Sequence, residues 1–390
     1  MWLSEFRDVL ARGLRRLQNH ETACQVIMSL DRREFLRASA LAVAGVPLLK
    51  SGLGTVPQEK KLGFALVGLG SLSTNQIAPA LMKTKNCRLA GIVTGTPAKA
   101  AAWKAKYNIP DTSIYNYDTI ESIARNADVD VVYVVTPNAL HARDVIKAAK
   151  AGKHVLCEKP MEVSTAQCEA MIAACRKAGK QLAIGYRCQF DPTHLECFRL
   201  AREKVLGDVR LIDAAFGFPA GDPGQWRLNA ALSGGGPMMD VGIYALQSAC
   251  LLTGESPVSV SATTTKTDPV KFRSVEETMT FDLKFPGGVI AHCSTSYKVP
   301  GLNRFTVHAD RGTFGMEPAY NYGGNRAWRS DNVPFTTPPV DQFAMEMDDF
   351  ANCIINGKPT RVPGEQGLRD VKIMMAAYES ARVGRVISLV

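Results

Sequence analysis

The sequence predicts an α/β fold: a doubly wound parallel sheet in the first half, and an α+β domain with an open, mostly antiparallel sheet in the second. Apolar strand-like runs alternate with helical segments between residues 61 and 185, a glycine-rich turn follows the first run, and strands at hairpin spacing dominate after residue 208. Alternating strands and helices build parallel sheets, whereas hairpin spacing builds antiparallel ones. We therefore expect an N-terminal extension (1–60), a first domain (61–185) and a second domain (186–390) whose terminal helices pack back toward the first.

The composition excludes several classes of protein. Apolar residues make up 46% and charged residues 21% of the chain, which is typical of a globular protein and not of a disordered or fibrous one. No run of about 18 apolar residues is present, so no transmembrane helix of normal length is expected. The net charge of +9 is spread without a basic tract, which argues against a nucleic-acid partner. None of the ten cysteines forms a C-x-x-C pair, so we expect no metal site and no disulfide framework, although one bridge is left open.

The N-terminal extension resembles a bacterial twin-arginine export signal. Arg32 and Arg33 are followed by Phe35-Leu36 and by an apolar run over 38–49. Such a run is too short to span a bilayer and suits a signal. We expect folded export to the periplasm and no other membrane attachment. A basic helix cap on a cytosolic protein is the alternative, and both the true start (Met1 or Met28) and the cleavage site are left open.

The first domain alternates strands and helices. Its strands are short runs of apolar, often β-branched residues, as expected for strands buried on both faces of a parallel sheet. Right-handed βαβ units then build a doubly wound sheet. Strands are predicted at 62–67, 88–94, 131–135, 154–157 and 182–185, and helices at 74–83, 97–107, 117–126, 138–150 and 164–178.

The turn after the first strand has the pattern G-x-G-x-x-S and leads into a predicted helix. The first glycine permits the tight turn, and the second lets the backbone approach a pyrophosphate, whose charge the helix N-terminus stabilises. The strand–turn–helix context makes a Rossmann dinucleotide site the favoured interpretation over a plain glycine turn. The residues expected at the pyrophosphate are Gly68, Leu69, Gly70, Ser71 and Leu72.

The end of the second strand indicates which cofactor is bound. NAD-binding sites usually place a carboxylate there to bind the ribose 2′-hydroxyl. This chain has none, and Thr94 and Lys99 could instead bind a 2′-phosphate, Lys99 as a point charge. The sequence therefore favours NADP over NAD.

The second domain is predicted to be mostly antiparallel. A Phe285-Pro-Gly-Gly turn signals a hairpin, and a helix over 238–253 would place Asp240 and Tyr244 on one face, because they are four residues apart. A carboxylate and a phenol on one face can hold a sugar and handle its proton. Strands are predicted at 209–218, 258–267, 278–285, 289–296, 304–308 and 312–316, and closing helices at 343–355 and 367–383.

Glu158-Lys159-Pro160 ends a predicted strand, at the sheet edge where open α/β proteins bind ligands. With Gly68-Leu-Gly70, Thr136-Pro-Asn138 and His141, Ala151-Gly-Lys-His-Val155, and Gly236 followed by Asp240 to Tyr244, this motif resembles the glucose-fructose oxidoreductase, inositol dehydrogenase and rhizopine-catabolism (Gfo/Idh/MocA) family. The resemblance covers about 61–390. Segments 184–188, 191–192, 225–228 and 363–365 look closest to its periplasmic glucose-fructose oxidoreductase branch.

The resemblance implies roles for individual residues. Lys159 would stand beside the nicotinamide and stabilise alkoxide character during hydride transfer, while Glu158 would fix its loop. Tyr244, at a position where the family commonly has histidine and that branch has tyrosine, would be the general acid/base with its pKa lowered by Lys159. Asp240 would bind sugar hydroxyls. The bond before Pro160 is often cis in the family.

Weaker candidates complete the expected cofactor cleft. Each of these residue types is also common in purely structural roles. They are Thr136, Pro137, Asn138, His141, Glu158, Arg187, Trp226 and Arg227. The resemblance also implies a homo-oligomer, dimer or tetramer, assembled through the exposed face of the second sheet.

Three functions are consistent with these observations. The first is an NADP-containing sugar oxidoreductase that oxidises an aldose to its lactone and passes the hydride to a second sugar without releasing the cofactor. The second is an NADP-dependent sugar or polyol dehydrogenase, or ketose reductase, with exchangeable cofactor. The third is a non-catalytic sensor of NADP or sugar, since fold does not fix function. The sugars themselves cannot be named from the sequence.

Overall fold

The computed structural model describes residues 61–390. The export-signal prediction, with Arg32 and Arg33, lies outside the described residues. Within the described part, no helix has the length and apolarity needed to cross a membrane.

The first sheet has six parallel strands in the order β3-β2-β1-β4-β5-β6. The order reverses between β1 and β4, which makes their carboxyl ends the ligand-binding edge. The strands are β1 (Leu62–Val67), β2 (Cys87–Val93), β3 (Ile114–Tyr115), β4 (Val131–Val134), β5 (His154–Glu158) and β6 (Leu182–Gly185). The predicted doubly wound Rossmann sheet is confirmed.

Helices cover both faces of this sheet, as its buried strands require. A π-helical turn (Ser73–Ile77) continues into a short helix, and 3₁₀ turns occupy Ile120–Arg125 and Asn138–Leu140. The helices are α1 (Ala78–Leu81), α2 (Pro97–Tyr107), α3 (His141–Lys150) and α4 (Thr165–Lys177). The helix predicted over 117–126 is therefore only a 3₁₀ turn.

The second sheet has eight strands in the order β13-β12-β11-β7-β10-β9-β8-β14. Every neighbouring pair is antiparallel except β7 with β10, which confirms the mostly antiparallel prediction. Its strands are β7 (Val209–Gly217), β8 (Ser259–Thr265), β9 (Thr278–Lys284), β10 (Ile290–Ser296), β11 (Asn303–Ala309), β12 (Gly312–Met316), β13 (Ala327–Arg329) and β14 (Ile387–Ser388).

The helices of the second half are α5 (Pro192–Arg202), α6 (Ala230–Ser233), α7 (Ile243–Thr253), α8 (Gln342–Ile355) and α9 (Gly364–Val383). A π-helical turn, Met238–Gly242, leads into α7, and a 3₁₀ turn covers Arg187–Phe190. Helix α5 was not predicted, although Asp191 caps it by accepting a hydrogen bond from the Thr193 amide and Pro192 begins it.

The last helices return to the first sheet. The Ile184 amide of β6 donates to the Val362 carbonyl oxygen at 2.8 Å, and the carboxylate of Asp348 on α8 accepts from the Lys85 and Asn86 amides. The two sheets and these helices enclose one large core. The domain boundary at 185/186 stays a prediction.

Candidate active site

The glycine turn after β1 leaves room for a nucleotide. Gly68 has φ +92°, and a Cβ there would lie 2.9 Å from the Val135 carbonyl oxygen, so only glycine fits. Around Gly70 a Cβ would meet nothing within 4 Å, so this exposed backbone is open to an approaching group. The Ser73 hydroxyl donates to the Gly68 carbonyl oxygen at 2.5 Å and fixes the turn. Leu69 is buried beneath it.

The end of β2 carries no carboxylate. Thr94 is buried, and its hydroxyl oxygen accepts from the Thr96 amide at 3.2 Å. Lys99 is exposed in the first turn of α2, and within residues 61–390 its ammonium group has no hydrogen-bond or ion-pair partner. An exposed ammonium and a hydroxyl group are both able to bind a phosphate, and the carboxylate usual in NAD sites is missing here.

The loop after β4 is held by its own polar groups. The Thr136 hydroxyl donates to Asp144 at 3.0 Å, and the Asn138 side-chain amide donates to the Ser233 carbonyl oxygen at 2.9 Å. Asn138 therefore ties the loop after β4 to the end of α6, while Pro137 stays partly exposed. Their predicted contacts with a cofactor stay predictions.

His141 does not line a cleft, contrary to expectation. Its side chain is completely buried. One ring nitrogen, Nδ1, lies 3.0 Å from the Pro160 carbonyl oxygen, and Nε2 lies 2.7 Å from that of Thr136. The imidazole thus joins the loop after β4 to the cis Lys159–Pro160 turn and has no surface with which to contact a ligand.

A cavity of about 640 Å³ opens at the carboxyl edge of the first sheet. It lies between the glycine turn and β7, so both sheets contribute to its wall. It is lined by Ser71, Leu72, Asn75, Gln76, Glu158, Lys159, Arg187, Phe216, Phe218, Arg227, Asp240, Val241, Tyr244, Tyr320, Asn321, Tyr322, Gly323 and Phe343. The three predicted catalytic residues therefore share one cavity.

Lys159 and Asp240 form the charged centre of the cavity. The Lys159 ammonium donates to the Asp240 carbonyl oxygen at 2.7 Å and lies 3.3 Å from its carboxylate. The second carboxylate oxygen accepts from Arg227 at 3.0 Å and from the Tyr297 hydroxyl at 2.9 Å. Burial would raise the pKa of Asp240, but the charges of Lys159 and Arg227 outweigh it and lower the pKa to about 2. Asp240 is therefore ionised and orients Lys159.

Tyr244 lies beside this centre without bonding to it. Its hydroxyl oxygen accepts from Arg187 at 3.1 Å, whereas the Lys159 ammonium sits 5.0 Å from the ring centroid. Burial raises the pKa of Tyr244, and Arg187 only partly opposes that shift. The prediction that Lys159 lowers this pKa is therefore wrong, because the ammonium is directed to Asp240 and the effect of burial outweighs the charge of Arg187.

Arg187 and Trp226 support the cavity in different ways. Arg187 is 3% exposed and donates to the Tyr320 carbonyl oxygen at 2.6 Å and to the Gln342 side chain. Trp226 does not line the cavity; the Arg227 guanidinium stacks 4.7 Å from its ring centroid. Trp226 thus supports Arg227, and its expected contact with a cofactor stays a prediction.

Some site residues were missed from the sequence. Tyr297 on the strand-end loop after β10 holds Asp240, and Gln342 on α8 bridges Arg187 to Asp191. A glutamine and a glutamate, Gln342 and Glu346, lie four apart on a helix that is otherwise apolar on that face. Polar residues at this spacing on an apolar helix face were the signal in the sequence that could have identified this part of the site.

Metal and disulfide chemistry find no support in the described part. Residues 61–390 contain no group of three or more His, Cys, Asp or Glu side chains that could hold a metal ion. The nine cysteines in this range are free thiols, eight of them buried.

The fold and the site together define an oxidoreductase that uses a nicotinamide cofactor. The doubly wound sheet, the open glycine turn and a lysine and tyrosine beside it are the parts such an enzyme needs. Comparison with known sequences agrees. The family described as an oxidoreductase family with an NAD-binding Rossmann fold, Gfo/Idh/MocA, matches residues 62–186, and its C-terminal domain matches 194–315. The chain belongs to the Gfo/Idh/MocA oxidoreductase family.

Individual relatives span most of the chain. A D-xylose 1-dehydrogenase [NADP(+)] of Haloarcula marismortui is 31% identical over 334 residues, covering 84% of this chain and 92% of that enzyme. The crystal structure of an aldose-aldose oxidoreductase from Caulobacter crescentus, complexed with glycerol, is 43% identical with a TM-score of 0.82, covering 85% of this chain and 100% of that one. A 3-ketoreductase from Actinomadura kijaniata in complex with NADP is 25% identical with a TM-score of 0.73, covering 82% and 98%.

Proposed function

We propose that this protein is an NADP-containing sugar oxidoreductase. It oxidises an aldose at C1 to the lactone, passes the hydride to a second sugar to give a polyol, and keeps its cofactor bound. The observation that carries the proposal is the single cavity in which Lys159, Asp240 and Tyr244 meet beside the glycine turn. The 43% identity to an aldose-aldose oxidoreductase supports a sugar-to-sugar reaction.

The residues present fit NADP. The open backbone at Gly70 would receive the pyrophosphate, and Thr94 and Lys99 the 2′-phosphate. Lys159 would stand beside the nicotinamide, which when bound supplies a hydride acceptor and donor. The names of two of the relatives include NADP, which supports the same cofactor for this protein.

The side chains supply binding and proton handling. Asp240 is held ionised by Lys159 and Arg227 and orients the Lys159 ammonium, which can stabilise negative charge on a sugar oxygen. Because the Tyr244 oxygen already accepts from Arg187, its own proton is free to be donated to a substrate oxygen. Tyr244 gives that proton to the carbonyl that is reduced and recovers it from the hydroxyl that is oxidised.

Cofactor retention matches the proposed location. The Arg32-Arg33 signal would export the protein already folded. Free NADP is not expected in the periplasm, so an enzyme working there must carry its own. A two-sugar cycle regenerates the cofactor without releasing it.

We also propose a homo-oligomer formed through the second sheet. Large apolar side chains are exposed on its strands: Leu211 of β7 and Ile290 of β10 are register partners, and Trp328 of β13 is 40% exposed. Apolar side chains on an open sheet face are typical of an interface between protein chains.

The second candidate is a dehydrogenase with exchangeable NADP, which the similarity to a D-xylose 1-dehydrogenase [NADP(+)] favours. The test uses the full chain, purified without added nucleotide. Glucose alone should produce the absorbance of reduced nicotinamide to nearly one equivalent, and fructose or another sugar should reverse it. Turnover only after NADP is supplied would favour the second candidate, and no signal with any sugar would contradict both.

A further inference from the structure

Two buried carboxyl groups face one tyrosine hydroxyl next to the cavity wall. Glu158 ends β5, and Glu346 lies one turn into α8; they are 6% and 0% exposed. The Tyr133 hydroxyl lies 2.7 Å from Glu158 Oε1 and 3.4 Å from Glu346 Oε2. The other oxygen of Glu346, Oε1, has no hydrogen-bond partner within residues 61–390. The mechanism above uses neither glutamate directly.

The number of protons decides the arrangement. A tyrosine hydroxyl has one proton, and the shorter distance shows that Tyr133 donates it to Glu158. The phenol oxygen can then only accept. If Glu346 were ionised, its carboxylate would repel the phenol oxygen and, beyond that oxygen, the carboxylate of Glu158. A protonated Glu346 would instead donate to the phenol oxygen, giving a chain from Glu346 to Tyr133 to Glu158.

The surrounding charges lead to the same state. The charged or titratable groups that face the two carboxyls are Lys159, Arg187, Cys157, Cys188, Tyr133, Tyr244 and Tyr322. Lys159 and Arg227 share Asp240 as their anion, and Arg227 is partly exposed to solvent, so Arg187 is the fully buried cation left to balance. One ionised glutamate balances it, whereas two would leave an uncompensated buried negative charge.

The pKa directions agree with this assignment. Burial raises the pKa of Glu158, but the charge of Lys159 and the hydrogen bond from Tyr133 oppose the shift. Burial raises the pKa of Glu346 well above its usual range, and the charge of Glu158 adds to the shift. Glu346 is therefore the member of the pair that keeps the proton.

We propose that Glu346 is a neutral carboxylic acid that donates a hydrogen bond to Tyr133, so that Glu158 is the one ionised member of this glutamate pair beside Lys159 and Arg187. Glu346 is a positioning residue: it acts through Tyr133 and Glu158 and does not touch the substrate. Its effect on catalysis rests on the proposed function, because the charge that it fixes stands beside Lys159. The protonation state itself can be tested without catalysis.

The first test is infrared spectroscopy of the full chain without added nucleotide at neutral pH. The C=O stretch of a protonated carboxyl group is separate from the carboxylate bands. We expect this band in the parent protein, its loss in Glu346→Gln, and its retention in Glu121→Gln, the same change at an exposed site. A parent protein without the band, or a band that survives Glu346→Gln, would overturn the proposal.

Tyr133→Phe tests the bridge without removing either carboxyl group, and it also serves if Glu346→Gln fails to fold. The acid should keep its proton but lose its acceptor, so the band should move to higher frequency. A band that does not move would contradict the chain of hydrogen bonds.

A pH profile tests the effect on catalysis. Without the hydrogen bond from Tyr133 the pKa of Glu158 should rise, so the acid limb of kcat/KM should move to higher pH by about one unit in Tyr133→Phe. Glu346→Gln should move it less, because the amide can still donate to the phenol. An unmoved limb would overturn the proposal. If the parent turned over no sugar, the proposed function would fail while the infrared result still decided the state of Glu346.

Discussion

Replacing Asp240 by asparagine removes the charge that holds Lys159 in the cavity while leaving the side-chain volume unchanged. The folded protein lowers the pKa of Asp240 from 3.8 to about 2. Each pKa unit corresponds to about 1.4 kcal/mol, so the carboxylate contributes about 2 to 3 kcal/mol to the free energy of unfolding at neutral pH. Asp240→Asn should lose that amount and leave Lys159 and Arg227 without their shared anion.

The pH dependence gives this prediction its sign. Because the folded pKa is depressed, the contribution is fully present above the unfolded pKa of 3.8 and is lost as the pH falls toward 2. Urea unfolding should therefore show the same gap between parent and Asp240→Asn at pH 7 and at pH 5, and a smaller gap below pH 4. Asp118→Asn, at an exposed site, is the matched control. A gap under about 1 kcal/mol at pH 7, or one that already closes between pH 7 and 5, would refute the reasoning.

Three further substitutions test other parts of the site. Tyr244→Phe should lower the single-turnover rate constant about 10²-fold with little change in unfolding free energy, because the phenol acts on a proton; a loss of activity accompanied by a clear loss of unfolding free energy would point to a packing role. Gly68→Ala should lower the free energy of unfolding by about 1 to 3 kcal/mol and abolish nucleotide binding. Gly288→Ala, at a similar φ of +87° in open space, should lower stability alone. If calorimetry shows that both variants still bind the nucleotide, the turn at Gly68 has no part in binding. Lys99→Glu should weaken the binding of NADP about tenfold relative to the binding of NAD. An unchanged ratio of the two affinities in a fluorescence titration would contradict this prediction.

Much of the first domain could be predicted because the strands of its sheet are buried on both faces. Such strands appear in the sequence as continuous apolar runs, and the strand over 182–185 and the helix over 97–107 have the predicted bounds. The glycine turn was found because its conformational requirement at Gly68 is local. Helix α5 was missed because its Asp191-Pro192 start signal was interpreted only as a family resemblance.

The electrostatics of the site could not be predicted in the same way. The sequence placed Lys159, Asp240 and Tyr244 together, but the direction of the pKa shift at Tyr244 depends on its burial and on Arg187. The roles of Gln342 and Glu346 depend on where α8 packs, which no local pattern encodes. His141 resembled a ligand-binding residue because its motif does, whereas the structure encloses it.

The return of the C-terminal segment to the first sheet has a consequence for the order of synthesis. A ribosome has made all six strands of that sheet by residue 185. The amides of Lys85 and Asn86 can form their hydrogen bonds only after Asp348 has been made, and the amide of Ile184 only after Val362 has been made. The nascent chain therefore lacks these partners until almost the whole polypeptide has emerged. A nonsense mutation that removes only the last fifty residues would therefore damage the first sheet as well as the second.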